Sequence, residues 1–155
     1  MNKAVRCGFT LIELVIVIFI ISLVTALIMP KLWDTGERAL KSEAKRIGNT
    51  LRYVYDEAAG KKRTYLLRID LSADSWSFES EKELRKFKMK RGVMFKDIVV
   101  PSFGEVSQGE VILKFGPMGP EEPVTVHLVN EDDMEYTVIF NHINGRVKIY
   151  EGYML

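Results

Sequence analysis

A single carboxylate, Glu13, stands inside an apolar run that reaches from Phe9 to Met29, 21 residues of which only Thr10, Glu13, Ser22 and Thr25 are not apolar. An ionised side chain in such a run costs roughly 2.5–3.5 kcal/mol or more unless it is paired, so Glu13 demands a cationic partner. The other groups able to do chemistry are sparse. His127 and His142 are the only histidines. His127 falls in an alternating apolar segment and reads as a structural or surface residue, without the cysteines or spaced carboxylates a metal pair needs. No Ser/His/Asp spacing suggests a nucleophile. Gly116-Pro117-Met118-Gly119 is a turn whose proline lacks the N–H groups of a phosphate cradle. Glu131-Asp132-Asp133 reads as a solvated turn, because consecutive acids diverge and calcium ligands must converge. No catalytic residue, cofactor or metal site is expected.

Charge concentrates at one place. Lys82, Arg85, Lys86, Lys88, Lys90 and Arg91 crowd ten residues that hold one acid, Glu83. Lys86, Lys88, Lys90 and Arg91, with Arg146 and Lys148 further on, are the candidate anion-binding residues. A solvated strand edge that discourages pairing is the plainer reading. Over the whole chain 22 Lys and Arg face 21 Asp and Glu, a net charge of +1 that argues for no nucleic-acid partner.

These residues need elements to hold them. As a helix at ~1.5 Å per residue, the apolar run would be about 31 Å long, the thickness of a bilayer's hydrocarbon core. Lys3 and Arg6 precede it with no acid beside them, which directs the N-terminus to the cytoplasm. The run is too long for a secretory signal and ends in Thr25-Ala26-Leu27-Ile28-Met29-Pro30, which offers no small-x-small cleavage pair. The only cysteine, Cys7, precedes the run, where a lipoprotein signal would place it after.

Beyond Pro30, Leu40, Ala44, Ile47, Leu51, Val54, Tyr55 and Ala58 recur at helical spacing. Lys41, Glu43, Lys45, Arg46, Arg52, Asp56 and Glu57 fill the other side. The pattern predicts one long helix from Phe9 to about Ala59, stopped by Gly60 and the cations Lys61-Lys62-Arg63. Pro30, Gly36 and Gly48 are candidate bends.

The remainder predicts antiparallel strands at Thr64–Leu71, Trp76–Phe78, Gly92–Val100, Val111–Phe115, Val124–Val129, Tyr136–Phe140 and Arg146–Tyr150. Pro101–Gly109 reads as a patternless loop, and Asn144-Gly145 as a hairpin turn. The expected fold class is α+β, a long N-terminal helix packed on a small antiparallel β-sheet domain. Its segments are 1–8, 9–30, 31–60 and 61–155.

Gly8-Phe9-Thr10-Leu11-Ile12-Glu13-Leu14 resembles the processing site of type IV pilins and of the pseudopilins of type II secretion. The resemblance extends to the short basic leader and to Pro30, twenty-second after Gly8. It implies that prepilin peptidase cuts after Gly8, removing residues 1–8 as a leader, and that Phe9 becomes an N-methylated terminus. Cleavage would remove Lys3, Arg6 and Cys7, shifting the charge to −1 and leaving no thiol. The α-amino group of Phe9 would then be the natural partner of Glu13, within one helix or between subunits, where the pairing would set filament register. Residues 9–30 would be a transmembrane segment that becomes filament core, and 31–60 the amphipathic half of the helix.

The distal segments Leu113-Lys114-Phe115-Gly116-Pro117-Met118-Gly119, Tyr136–Asn141 and Gly145-Arg146-Val147 resemble the H-type minor pseudopilins. That resemblance implies a non-enzymatic structural subunit of a periplasmic pseudopilus. It would be a single-pass inner-membrane protein with its β domain in the periplasm. Its partners would be other major and minor pseudopilins, an inner-membrane assembly platform and a cytoplasmic ATPase. A minor pilin of a type IV pilus, serving fibre priming, motility or DNA uptake, is the alternative. Some such pilins bind DNA through a G-R-x-R motif, and here the fourth position is Lys148. A membrane-anchored enzyme is the outside reading.

Overall fold

The structure, a computed structural model, describes residues 10–154, and for residues 26–35 the backbone alone. It divides into two compact units, Met1–Thr35 and Gly36–Leu155. One helix, α1 (Leu11–Lys61), contributes to both. It runs unbroken through Pro30, Gly36 and Gly48. The two glycines serve close packing instead. A Cβ on Gly48 would sit 2.8 Å from Val147 Cγ1, and one on Gly36 2.9 Å from Asp132 Oδ2. The predicted stop at Gly60 is displaced to Lys62, which takes the left-handed conformation (φ 50°) while Arg63 N–H donates to the Ala58 carbonyl.

Among the described residues, the second unit holds nine strands in two antiparallel sheets, in keeping with the expected antiparallel β domain. Four strands, β1 (Tyr65–Asp70), β2 (Ser75–Ser80), β3 (Glu83–Lys88) and β6 (Glu110–Phe115), are ordered β3-β2-β1-β6. Five more, β4 (Val93–Val100), β5 (Gly104–Val106), β7 (Val124–Asn130), β8 (Glu135–Phe140) and β9 (Val147–Glu151), are ordered β5-β4-β7-β8-β9. Two strands differ from expectation. β3 lies in the basic segment, whose charges hid its weak alternation, and β5 lies within the Pro101–Gly109 stretch expected to be a loop.

Period-two alternation sets which side chains enter the core. Tyr65, Leu67 and Ile69 of β1 are buried, as are Trp76 and Phe78 of β2 and Val124, Val126 and Leu128 of β7. From α1, Leu40, Ala44, Ile47, Leu51, Val54 and Ala58 join the same cluster. Each such aliphatic side chain contributes roughly 1.5–3 kcal/mol on full burial. The helix reaches both sheets. Tyr53 meets Phe78 at 5.4 Å between ring centroids, and Tyr55 meets Phe140 at 5.8 Å. Phe115 against Phe140, and Trp76 against Phe95, join the sheets to each other.

Glu43, expected on the solvated side of the helix, is instead fully buried. Arg46 Nη1 bonds both its carboxylate oxygens (3.1 and 3.3 Å), and Lys90 Nζ lies at 4.0 Å. Arg46 also donates to the Lys88 carbonyl and stacks over Trp76, 4.7 Å from the ring centroid. Elsewhere in the core, burial and then a hydrogen bond to Glu151 push the Tyr136 phenol up to about 12.

Tyr55 is clamped between two turns. Its hydroxyl donates to the Ile143 carbonyl at 3.4 Å, and Gly119 and Gly145 press on its ring. The Asn144-Gly145 hairpin forms as expected but not as a two-residue turn. Asn141 and Arg146 close a longer loop, in which only Gly145 of the pair has positive φ (64°). A Cβ at Gly145 would fall 2.5 Å from Tyr55 Cδ1. Gly145→Ala should therefore cost about 2–4 kcal/mol, combining left-handed strain with overpacking against a rigid ring. Gly152 has φ 84° but open space around it, so Gly152→Ala should cost only about 1 kcal/mol. Denaturant midpoints of the two variants separate the clash from the strain.

Candidate functional site

The candidate site is the first turns of α1. Thr10 caps the helix, its Oγ1 accepting from Glu13 N–H at 3.4 Å while its carbonyl accepts the same N–H at 3.1 Å. Thr10-Leu11-Ile12-Glu13 is thus a T-x-x-E capping sequence, a signal that the reading of Glu13 as a counter-charge passed over. Glu13 is also the acid of the first turn, where the helix dipole favours it.

The two other polar residues of the run hide their polarity. Ser22 Oγ donates to the Ile18 carbonyl and Thr25 Oγ1 to the Ile21 carbonyl, each at 2.8 Å. Such back-bonding to the preceding turn lets a hydroxyl sit in an apolar helix. Among the described residues, no group pairs with the Glu13 carboxylate. It is therefore the unmet charge of the segment.

Around it the helix is apolar on every side. Leu11, Ile12, Leu14–Ile21, Leu23 and Val24 are all exposed, from 44% at Val17 to 82% at Leu11. A helix apolar all round belongs inside a bundle or a membrane, not in water. Among the described residues no helix is long and apolar enough to cross a membrane. Gly8 and Phe9 lie outside the described residues, as does the side chain of Pro30, which the backbone places within α1.

The candidate anion-binding residues are spread over the two sheets. Lys86 and Lys88 lie on β3, the edge strand of the four-stranded sheet, with Lys90 and Arg91 just beyond it. Lys90 is engaged with Ser42 and Glu43. Arg146 and Lys148 belong to the other sheet, at its edge strand β9. Lys61 and Arg63 do come together with Lys82, around a pocket that also takes in Glu83. Lys61 there pairs with Glu57, a hydrogen bond that raises the lysine pKa and lowers the glutamate's.

His127 is fully buried and structural. Its Nδ1 faces Asp97 Oδ1, its Nε2 meets the Met154 carbonyl at 2.8 Å, and its ring stacks on Tyr153 at 3.9 Å. A register shift between Phe95 and Asp97 sets Asp97 opposite His127. Sequence periodicity carries no sign of such a bulge. The Glu131-Asp132-Asp133 turn is exposed and shaped by Asn130, whose Oδ1 accepts from Asp132 and Met134 N–H groups. Among the described residues no group of three or more His, Cys, Asp or Glu could hold a metal ion.

Comparison with known proteins bears on both halves of the chain. Residues 3–29 match the family model described as the prokaryotic N-terminal methylation motif. No curated protein sequence matches. Among solved structures, the chain is similar to the minor pseudopilin EpsH from the type 2 secretion system of Vibrio cholerae. That match has a TM-score of 0.54 and 19% identity, over 72% of this chain and 96% of EpsH. It is also similar to the type IV minor pilin FimU of Pseudomonas aeruginosa, with a TM-score of 0.52 and 17% identity, over 75% of this chain and 91% of FimU. At these identities the likeness shows the fold. The chain thus carries a methylation motif that leads into a fold similar to those of a minor pseudopilin and a type IV minor pilin.

Proposed function

We propose that the chain is a non-enzymatic filament subunit, a minor pseudopilin of a type II secretion system. The observation that carries the reading is the all-round apolar helix of residues 11–25 with its one unmet carboxylate, directly after a methylation motif. Cleavage after Gly8 would create a cation at Phe9, and Glu13 of the same or an adjacent subunit would receive it. Before assembly, residues 9–30 would hold the protein in the inner membrane with the unit Gly36–Leu155 in the periplasm. In the filament the same residues would form the core, and the β-rich unit would face outward. Other pseudopilins would be its neighbours, and a platform protein and cytoplasmic ATPase would drive extraction.

The likeness to FimU supports a second reading, a minor pilin priming a type IV fibre, because the same helix serves either filament. One experiment separates them. In a strain lacking the gene, exported proteins should accumulate in the periplasm while surface pili persist. Normal secretion with lost pili or lost DNA uptake would move the chain to the pilus.

A further inference from the structure

A groove of about 670 Å³ lies between α1 and β3, inside the second unit. Its walls carry Arg38, Lys41, Lys45, Arg46 and Arg85, with Tyr53, Phe78 and Phe87 as an aromatic floor, and among the described residues no carboxylate lines it. Local pairing tempers this charge without cancelling it. Arg46 holds the buried Glu43, Arg85 holds Glu83 at 2.7 Å, and Lys41 lies 3.8 Å from Glu151. Lys45 is exposed and makes no ion pair among the described residues.

β3 borders the groove and is paired on one side only, by β2. Its other edge offers backbone N–H and C=O groups that no strand pairs, of which the Lys88 carbonyl accepts from Arg46. β3 also runs alongside the helix in the opposite direction. Its C-terminal end meets Arg46 through the Lys88 carbonyl, while at its N-terminal end the charges of Glu83 and Arg85 reach Tyr53. Leu84, Lys86 and Lys88 occupy the outer face of β3, whereas Arg85 and Phe87 line the groove.

We propose that this groove binds an extended acidic strand of another protein, which adds to the free edge of β3. Every second residue of a strand faces the same way, with a repeat of about 6.6–6.8 Å. Successive turns of a helix present side chains about 5–6 Å apart. Carboxylates at alternate positions of the incoming strand therefore meet Lys41 and Lys45 in turn, while its backbone pairs with β3. Strand addition to a sheet edge supplies affinity through main-chain bonds and specificity through alternate side chains. The cations that admit an acidic strand also repel a second basic β3 edge, which keeps copies of this chain from pairing there. A nucleic acid would meet the same charge but has no backbone to complete the β3 ladder.

The test uses the full chain in detergent micelles and a labelled peptide alternating Glu with Val, followed by fluorescence anisotropy. The peptide should bind, more weakly as salt rises, and a peptide alternating Lys with Val should not. N-methylation of the backbone along one edge should abolish binding. Lys45→Glu, at an exposed site outside the core, should weaken it at least about fivefold, as expected for reversing one exposed pair. Circular dichroism of that variant should match the parent chain. Absence of peptide binding would overturn the proposal. So would binding indifferent to both N-methylation and Lys45→Glu, or binding of a thymidine oligonucleotide as tight as that of the peptide.

Discussion

Glu13→Gln should leave processing intact and reduce incorporation into filaments by at least about tenfold. The substitution is chosen because Gln keeps the T-x-x-E/Q capping sequence with Thr10, so the helix start survives and only the charge is lost. Were the carboxylate merely a capping group, Gln would cost at most a few tenths of a kcal/mol in helix stability and assembly would proceed. As the partner of a terminal amine in an apolar core, its loss strands a cation there. A penalty of roughly 2.5–3.5 kcal/mol then exceeds the ~1.4 kcal/mol that a tenfold change requires. Glu13→Ala, which keeps the backbone N–H that Thr10 caps and removes the charge, should be no worse in assembly than Glu13→Gln. Immunoblots of sheared or overproduced filaments against total membrane protein would measure both, with leader removal read from the mobility shift. Normal assembly of the Gln variant would leave Glu13 with its capping role alone.

What could be read from the sequence follows from how local each signal is. The long helix and its buried stripe were legible because Leu40, Ala44, Ile47, Leu51, Val54 and Ala58 repeat at a period no strand shares, and all six are buried. Strands with clean alternation, such as β1 and β7, were legible for the same reason. Glu43 was misplaced because periodicity assigns a polar residue outward. Its burial depends on Arg46 beside it and Lys90 from a distant segment. β3 was missed because alternation is faint where four of six residues are charged and only Phe87 reaches inward to Trp76. The division into two sheets arises from long-range pairing of β1 with β6 and of β4 with β7, which no local pattern encodes. At the candidate site the Glu13 charge was plain in the sequence. The back-bonding of Ser22 and Thr25, which leaves Glu13 alone in its polarity, needed the helix geometry.

The second large effect is expected where the sequence was least informative, at the latch that holds the C-terminus. Gly152, Tyr153 and Met154 fold back across β7 and β8. Thr137 Oγ1 donates to the Gly152 carbonyl at 2.7 Å and accepts from Met154 N–H at 3.0 Å. His127 donates to the Met154 carbonyl, and Lys96 lies over the Tyr153 ring while pairing with Glu135. Beneath this segment His127 and Asp97 are both at least 98% buried. Both ring nitrogens of His127 meet acceptor oxygens, Asp97 Oδ1 at Nδ1 and the Met154 carbonyl at Nε2. His127→Leu leaves the buried Asp97 carboxylate with the Tyr153 hydroxyl but without its imidazole partner and should cost roughly 3 kcal/mol. Asp97→Leu should cost less, because it leaves no carboxylate buried and the His127 ring still donates from Nε2 to the Met154 carbonyl. The double variant should be more stable than His127→Leu, since a buried ion pair replaced whole by apolar groups is often neutral or stabilising. Thermal unfolding of the three proteins gives the ranking, and carboxypeptidase trimming reports whether the latch has opened. Equal losses in both single variants, summed in the double, would mean that His127 and Asp97 act as separate packing residues rather than as a pair. The ranking follows from charge, not shape, because Leu fills much of the volume of either side chain and what differs between the variants is which charge is left alone.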